Sequence, residues 1–441
     1  MYNFLLEKLI MPIGDLLNRS DVMYNLKNWR KISKLSEESI LELQRKNLKD
    51  VLEFSTKNIP FYKKYADFNT ESPEDWIKKL PIMKKVDYKN HINELTSKPF
   101  DKLIKKETSG SSGIQGITYM DEKDQSYNRA IQILWWEWSG WRIGSRTFQT
   151  GMTYNRGVLK SIKDILLRTK YYNAFGLSDE ETLDILNKQR GKKGFYVAGY
   201  ASSIYVLSKI AQKNNITDVK FKGAISWGDK MFPHFRKQIL ESFGCKVTDT
   251  YACSEGIMIA AQKDLEYYYI MAPHVYLELV DSNGNEVADG ELGYVVASRL
   301  DARSMPLLRY YTGDLAVKLP KYKYPKEREY KYPLLERVIG RDTDIVYTAS
   351  GKYMIVHFFT GIFEFVKEIK QFRVVQKELD FITIEYIPEI NFDNEVLAKV
   401  EKTIQDYLKE PYTIYWEKVE SIPATGSGKP QIIKSYIENK L

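Results

Sequence analysis

The stretch Glu107-Thr108-Ser109-Gly110-Ser111-Ser112-Gly113-Ile114-Gln115-Gly116 decides how the rest of the chain is read. Three glycines and four hydroxyl residues crowd its ten positions, so it cannot build a packed core. Gly110, Gly113 and Gly116 let the backbone turn sharply and approach a ligand closely. Thr108, Ser109, Ser111 and Ser112 bring short, rotatable hydrogen-bond donors. Successive backbone N–H groups in such a loop form an anion nest, and phosphate is its natural guest. A flexible Gly/Ser linker has the same composition, and the loop alone does not separate the two. It is not a Walker loop, because Gln115 stands where the second glycine belongs. It is not a hydrolase nucleophile elbow, because Ile114 breaks that pattern.

The sequence around the loop has the size and balance of a multidomain globular protein. Its 441 residues exceed what one small core organises. A hydrophobic fraction of 43% with 28% charged residues is ordinary for a globular chain. The net charge of +8 suits anionic ligands or surfaces without selecting one. Cys245 and Cys253 make no disulfide framework, and no Cys/His cluster has zinc spacing. The expected compartment is the cytoplasm. Residues 1–17 are apolar but interrupted by Glu7, Lys8, Pro12 and Asp15, which reads against a signal peptide. They suit an amphipathic helix, packed on its own domain or resting on the inner face of a membrane as a peripheral contact.

Upstream of the loop, residues 36–56 carry a helical apolar stripe behind the N-cap Ser36. Residues 74–95 read as two short helices around Leu80-Pro81. Downstream, residues 121–141 read as a helix bearing Trp135, Trp136, Trp138 and Trp141. Such a row builds core, or lines an apolar substrate pocket with part of its length. From 143 to 280 strands and helices alternate, with a capping box at Ser178 and Glu181 and a helix stop at Gly244. That alternation predicts α/β layers with a largely parallel sheet. Ligands then sit at the carboxyl ends of strands, which singles out Ser226–Asp229 and Tyr251–Gly256. Residues 274–318 predict an antiparallel β-subdomain with turns at Asn283-Gly284 and Asp289-Gly290. The Lys-, Arg- and Tyr-rich run 318–337 could suggest nucleic-acid binding. Its prolines and glutamates favour a solvated surface excursion, so no nucleic-acid partner is expected. Strands 371–377, 381–386 and 412–418 with helix 393–408 predict a small α+β unit.

Five segments now stand in a specific order: Thr108-Ser-Gly-Ser-Ser-Gly113, Tyr251-Ala-Cys-Ser254-Glu255, Tyr311-Thr-Gly-Asp314, Gly340-Arg341-Asp-Thr-Asp344 and Ser427-Gly-Lys429. This order and spacing resembles the acyl-adenylate-forming (AMP-binding) superfamily. Asn58-Ile-Pro-Phe-Tyr62, Leu80-Pro-Ile-Met-Lys-Lys85, Ala198-Gly-Tyr-Ala-Ser-Ser203 and Gln371-Phe-Arg-Val-Val-Gln376 look like its phenylacetate–coenzyme A ligase branch and the CapK-like capsular-polysaccharide proteins within it. The resemblance covers nearly the whole chain. It implies an α/β fold with a large N-terminal domain of layered sheets and a β-subdomain, residues 1–340, of which 1–100 are a helical lead-in. A hinge at 341–345 and a mobile α+β lid at 346–441 complete the expectation.

The implied activity is ATP-dependent activation of a carboxylic acid as acyl-AMP, with pyrophosphate release and transfer to an acceptor. Thr108, Ser109, Gly110, Ser111, Ser112 and Gly113 are expected to hold the β- and γ-phosphates. Glu255 is expected to hold Mg²⁺, a hard cation that wants oxygen ligands. Trp227, Gly228, Asp229, Tyr251 and Ser254 are expected to border the nucleotide base. Asp314 would accept from both ribose hydroxyls, with Arg341 assisting. Lys429 would arrive as the cation that meets the developing charge, a role that positioning and charge neutralisation make decisive. Coenzyme A, a sugar or another nucleophile is the implied acceptor. The sequence departs from the family pattern at Ile114-Gln115, where a basic residue and proline are usual, and at Ala252, Asp229 and Thr343. Residues 318–337 lack the cysteines of a zinc knuckle, so zinc is not expected. Ser350-Gly-Lys-Tyr-Met354 stands where the phenylacetate ligases proper differ. The alternatives are an aryl-acid–coenzyme A ligase and a nucleotide-binding protein with reduced catalysis.

Overall fold

The computed structural model describes residues 1–70, 72–107, 117–151, 157–174, 177–341, 345–350, 353–363, 366, 368–409, 411–423 and 431–437. The chain starts as one continuous helical rod: α1 (Tyr2–Leu5), a π-turn segment (Leu6–Ile10) and α2 (Met11–Asn18). Next come α3 (Val22–Ile32) and α4 (Glu37–Asn58). Ser36 caps α4 by accepting the Ser39 N–H at 3.2 Å. A 3-10 stretch follows, then α5 (Pro73–Lys78) and α6 (Lys85–Asn90). The hairpin β1 (Ile104–Glu107) and β2 (Ile117–Met120) brackets the Gly/Ser loop, and α7 (Glu122–Trp138) follows it.

The predicted alternation then appears in order: β3 (Arg146–Gly151), α8 (Gly157–Leu166), β4 (Thr169–Asn173), α9 (Asp179–Asn187), β5 (Phe195–Tyr200), α10 (Ala201–Lys213), β6 (Ala224–Trp227), α11 (Pro233–Phe243) and β7 (Val247–Cys253). The capping box forms as read, with Ser178 Oγ accepting from Glu181 N–H at 3.1 Å and Glu181 accepting the Ser178 N–H at 2.8 Å. Strands β3 to β7 all pair in parallel. Five of the six residues of β5 are buried, as a parallel strand covered on both faces requires.

At β7 the pairing turns antiparallel. β8 (Ile257–Ala261), β9 (Tyr268–Ile270), β10 (Val275–Val280), β11 (Leu292–Arg299), β12 (Tyr310–Lys318) and β13 (Leu334–Arg341) extend the sheet to eleven strands. Their order is β10-β11-β12-β13-β9-β8-β7-β6-β5-β3-β4. The β-subdomain expected at 274–318 is therefore continuous with the α/β sheet. The join is narrow: β13 meets β9 through Leu334 opposite Tyr269 and Leu335 opposite Tyr268.

Three cores fill the layers. The lead-in helices bury Leu48, Leu52, Trp76 and Leu80 against β8 to β12. Trp135, Trp138 and Trp141 anchor a second core with Leu26, Trp29 and Leu6. The tryptophan row is thus mostly core. The run 318–337 departs from the expected solvated excursion: Tyr332 is fully buried, and the Tyr330 ring packs, tilted, 4.9 Å from the Trp138 ring. Tyr330 and Tyr332 pack against buried Trp138 while Lys321, Lys323, Lys326 and Lys331 stay at the surface, and the apolar Leu334-Leu335 becomes the start of β13. The third core lies between β3–β6 and α9–α11.

Beyond Arg341, β14 (Ile345–Tyr347) and β15 (Tyr353–Ile355) form a hairpin ahead of α12 (Val356–Phe363). β16 (Ile369–Glu378), β17 (Phe381–Pro388), α13 (Glu395–Leu408), β18 (Thr413–Lys418) and β19 (Ile433–Ser435) complete an α+β unit. Its sheet runs β18-β17-β16-β19. The architecture is the expected α/β fold with a smaller C-terminal α+β region.

Candidate active site

The site collects where β7 and β13 end and β12 begins. Alternation puts Tyr251, Cys253 and then Glu255 along one side of β7 and the turn after it. Asp314 lies opposite Arg341 in the β12–β13 register. The Tyr251 hydroxyl donates to Asp314 Oδ2 at 2.8 Å. Arg341 Nε meets Asp314 Oδ1 at 3.2 Å, and Arg341 also donates to the Thr312 carbonyl at 2.8 Å. The Thr312 hydroxyl in turn accepts the Asp314 N–H at 3.2 Å. Each oxygen of Asp314 thus carries one protein donor. A carboxylate offers about four lone-pair directions, so two remain to accept from a ligand bearing paired hydroxyls. The side chain stays 12% exposed, which leaves an approach.

Glu255 is the second acidic centre, and it is buried. The Tyr310 hydroxyl donates to its Oε1 at 2.7 Å, and Lys85 Nζ sits 3.4 Å from the same oxygen. Lys85 reaches the site because the backbone before α6 pairs with the start of β12. Met83 N–H donates to the Arg309 carbonyl at 2.9 Å, and Tyr311 N–H donates to the Met83 carbonyl at 2.9 Å.

The environment fixes protonation states. Burial, then the Asp314 carboxylate, pushes the Tyr251 phenol well up, so it remains a donor. Burial and Glu255 do the same to Tyr310. Asp314 holds the Arg341 guanidinium charged. Burial, with Glu255 and Asp314 nearby, raises the Cys253 thiol well above its usual range.

Behind the site, a buried network holds the β7–β8 turn. His274 Nε2 accepts the Met258 N–H at 3.0 Å, and its Nδ1 pairs with Asp301. Arg299 Nε donates to Asp301 at 2.7 Å, and Arg299 also donates to the Asp124 carbonyl at 2.6 Å. Burial pushes the Asp301 carboxyl up, but His274 and Arg299 together bring it down to about 2. Gly256 closes the turn at φ +94°, and an added Cβ would lie 2.2 Å from Met120 Cε and 3.1 Å from Arg299.

The structure thus brings Tyr251, Glu255, Asp314 and Arg341 together. Ser254 lies exposed in the turn beside them. Trp227 stacks on Trp136 at 5.8 Å with rings 13° apart, which occupies one indole face. The Asp229 carboxylate accepts from the Ala201 N–H at 2.6 Å, the Ser202 N–H at 3.1 Å and the Ser202 hydroxyl. That bonding caps the first turn of α10, a structural task at a helix N-terminus. The Thr108–Gly113 loop and Lys429 lie outside the described residues. Tyr310, Lys85, His274 and Asp301 were not among the residues singled out from the sequence. For Tyr310 a signal existed: positions 310, 312 and 314 share one face of a strand. Among the described residues no cluster of three His, Cys, Asp or Glu side chains could hold a metal by itself. Glu255 suits a magnesium ion that takes most of its ligands from a polyphosphate and water.

The chain is similar in sequence and fold to several known proteins. Residues 346–436 match the family model of the CapK C-terminal domain. Protein CapK of Staphylococcus aureus is 26% identical over 436 residues, covering 94% of each chain. A phenylacetate-coenzyme A ligase of Thermus thermophilus is 22% identical over 298 residues, covering 64% of this chain and 66% of that one. Among solved structures, a 2-hydroxyisobutyryl-CoA ligase in complex with 2-HIB-AMP superposes with a TM-score of 0.71 at 16% identity, covering 92% of both chains.

Proposed function

Because the chain belongs to the CapK-like branch of the acyl-adenylate-forming superfamily, we propose that it activates a carboxylic acid as its acyl-AMP. The observation that carries this reading is Asp314. It is held by Tyr251 and Arg341 with two acceptor directions left over, a fit for the vicinal hydroxyls of a ribose.

In the proposed reaction the acid's carboxylate attacks the α-phosphorus of ATP, the P–O bond to pyrophosphate breaks, and acyl-AMP forms. Little proton transfer is needed, so positioning and electrostatics dominate. Asp314 fixes the ribose, and Arg341 keeps Asp314 aimed. Tyr251 borders the nucleotide. The Tyr310 hydroxyl holds the Glu255 carboxylate in place for Mg²⁺, which would neutralise polyphosphate charge when bound and would compete with Lys85 for that carboxylate. Thr108–Gly113 is proposed as the phosphate nest, and Lys429 as the cation delivered by residues 346–441 turning about 341–345. Coenzyme A is the favoured acceptor, since several relatives bear the name of coenzyme A ligases. Surface-polysaccharide synthesis on the cytoplasmic side is the proposed setting.

The test is ATP–pyrophosphate exchange by the purified protein across a panel of aryl, hydroxy and sugar acids. Exchange with at least one acid, lost in Asp314→Ala, is the expected result. No exchange with any acid, alongside intact ATP binding, would replace this reading with a non-catalytic nucleotide-binding protein. Exchange that yields an aryl-CoA thioester would narrow it to an aryl-acid–coenzyme A ligase.

A further inference from the structure

The helical rod of residues 2–18 is apolar on more than one side. Tyr2, Leu6, Ile10 and Met11 turn inward onto the tryptophan core. Phe4, Leu9, Ile13, Leu16 and Leu17 turn outward, with Leu16 and Leu17 at 80% and 77% exposure. The π turn at Leu6–Ile10 resets the helical phase between the two halves. A helix that is apolar all round is normally covered all round, and this one is covered on one side. It does not stand alone. The Tyr2 hydroxyl donates to the Leu166 carbonyl at the end of α8 at 2.6 Å. α8 adds its own outward apolar pair, Ile162 and Ile165, the latter 77% exposed. Two helices that touch at Tyr2 therefore both carry exposed apolar side chains on this part of the surface.

The charges around the strip choose its partner. The two acidic groups of the rod are turned inward and engaged. Glu7 pairs with Arg30 at 2.8 Å, and Asp15 accepts from the Ser20 hydroxyl at 2.6 Å and the Met23 N–H at 2.7 Å. Asp164 is the one carboxylate on α8. Against it stand the exposed cations Lys8, Arg19, Lys160, Lys163 and Arg168. Arg168 lies 3.7 Å over the Tyr2 ring, at the contact between the two helices. Apolar side chains rimmed by cations are the composition of a helix that lies in an anionic lipid interface. Among the described residues no helix is long and apolar enough to cross a membrane.

We propose that residues 2–18 and α8 together form a docking surface for an anionic lipid bilayer, with the rod lying in the plane of the headgroups. This surface is separate from the Asp314–Glu255 site and does not depend on the reaction assigned to it.

The experiment is cosedimentation of the full-length protein with vesicles of phosphatidylglycerol and phosphatidylcholine in equal parts, against phosphatidylcholine alone. Binding to the anionic vesicles, weakened by salt, is expected. Leu16→Ser with Leu17→Ser should lower partitioning about tenfold, and Lys8→Glu with Lys160→Glu by a similar factor. All these positions are exposed, so melting temperatures should not move. If the rod variant fails to fold, Ile162→Ser with Ile165→Ser on α8 carries the same expectation. No binding to anionic vesicles, or equal binding by every variant, overturns the proposal. A concentration-dependent dimer that Leu16→Ser with Leu17→Ser dissolves would overturn it in favour of a second copy of the chain.

Discussion

Replacing Lys85 with Met should move two measurements in opposite directions. Lys85 Nζ lies 3.4 Å from Glu255 Oε1, and the two side chains are 14% and 6% exposed. At that distance the attraction is about 5 kcal/mol with an effective dielectric of roughly 20. Part of it only offsets the desolvation of both ions. Removing one partner of a buried pair typically costs about 3–5 kcal/mol, because the other charge is left uncompensated. The Tyr310 hydroxyl still donates to Glu255, which favours the lower end, about 3 kcal/mol. Urea denaturation of wild type, Lys85→Met, Glu255→Gln and the double variant would isolate the pair as a coupling energy. A coupling of about 2–3 kcal/mol is expected. The same lysine competes for the carboxylate proposed to hold magnesium. Lys85→Met should therefore lower the Mg²⁺ concentration that half-saturates pyrophosphate exchange, even as it destabilises the fold. A coupling energy under about 0.5 kcal/mol would refute the ion pair, and a Mg²⁺ requirement that rises would refute the competition.

Asp314→Asn keeps the shape but removes the charge that orders Arg341 and Tyr251. It should raise the KM for ATP at least about tenfold, and an unchanged KM in steady-state kinetics would remove Asp314 from the nucleotide site. Gly256→Ala forces a Cβ into a left-handed backbone position within 2.2 Å of Met120 Cε. A loss of about 2 kcal/mol in a denaturation midpoint is expected. Asp301 has its carboxyl lowered from 3.8 to about 2 in the folded state, a difference equivalent to roughly 2.4 kcal/mol. A depressed acid stabilises above its unfolded value, and that contribution is lost as pH falls. The stability gap between wild type and Asp301→Asn should be full at neutral pH and close between about pH 4 and pH 2, as read by urea midpoints along a pH series.

The parts of the fold that follow from local rules were readable from the chain. Ser36, Ser178 and Gly244 mark helix ends by side-chain capping or backbone conformation, and all three do so in the structure. Glu255, Asp314 and Arg341 stood out because each lies in a short segment that resembles a family motif. Lys85 did not, since a lysine at the start of a short helix looks like any solvated charge. Only the pairing of Met83 with Tyr310, more than 200 residues apart, brings it to Glu255. The buried tyrosines of 318–337 were hidden for a similar reason. Lysines dominate the local composition there, while the partner surface is a tryptophan helix far upstream. His274 was equally opaque: a lone histidine reveals nothing until Met258 and Asp301 are placed around it.

The two-residue seam between β9 and β13 bears on how the protein comes to be built. Tyr251 and Glu255 belong to the half of the sheet that ends at β9, while Tyr310, Asp314 and Arg341 belong to the β10–β13 meander. The halves meet edge to edge only when Leu334-Leu335 reaches Tyr268-Tyr269, a contact spanning more than 60 positions of chain. Such non-local pairings form late. During synthesis the α/β half can therefore collapse around its own core while Glu255 still lacks the Tyr310 hydroxyl and Tyr251 lacks Asp314. On this account the nucleotide site is among the last features to assemble. A chain ending before β12 would leave Tyr251 and Glu255 without the Asp314 and Tyr310 partners that hold them.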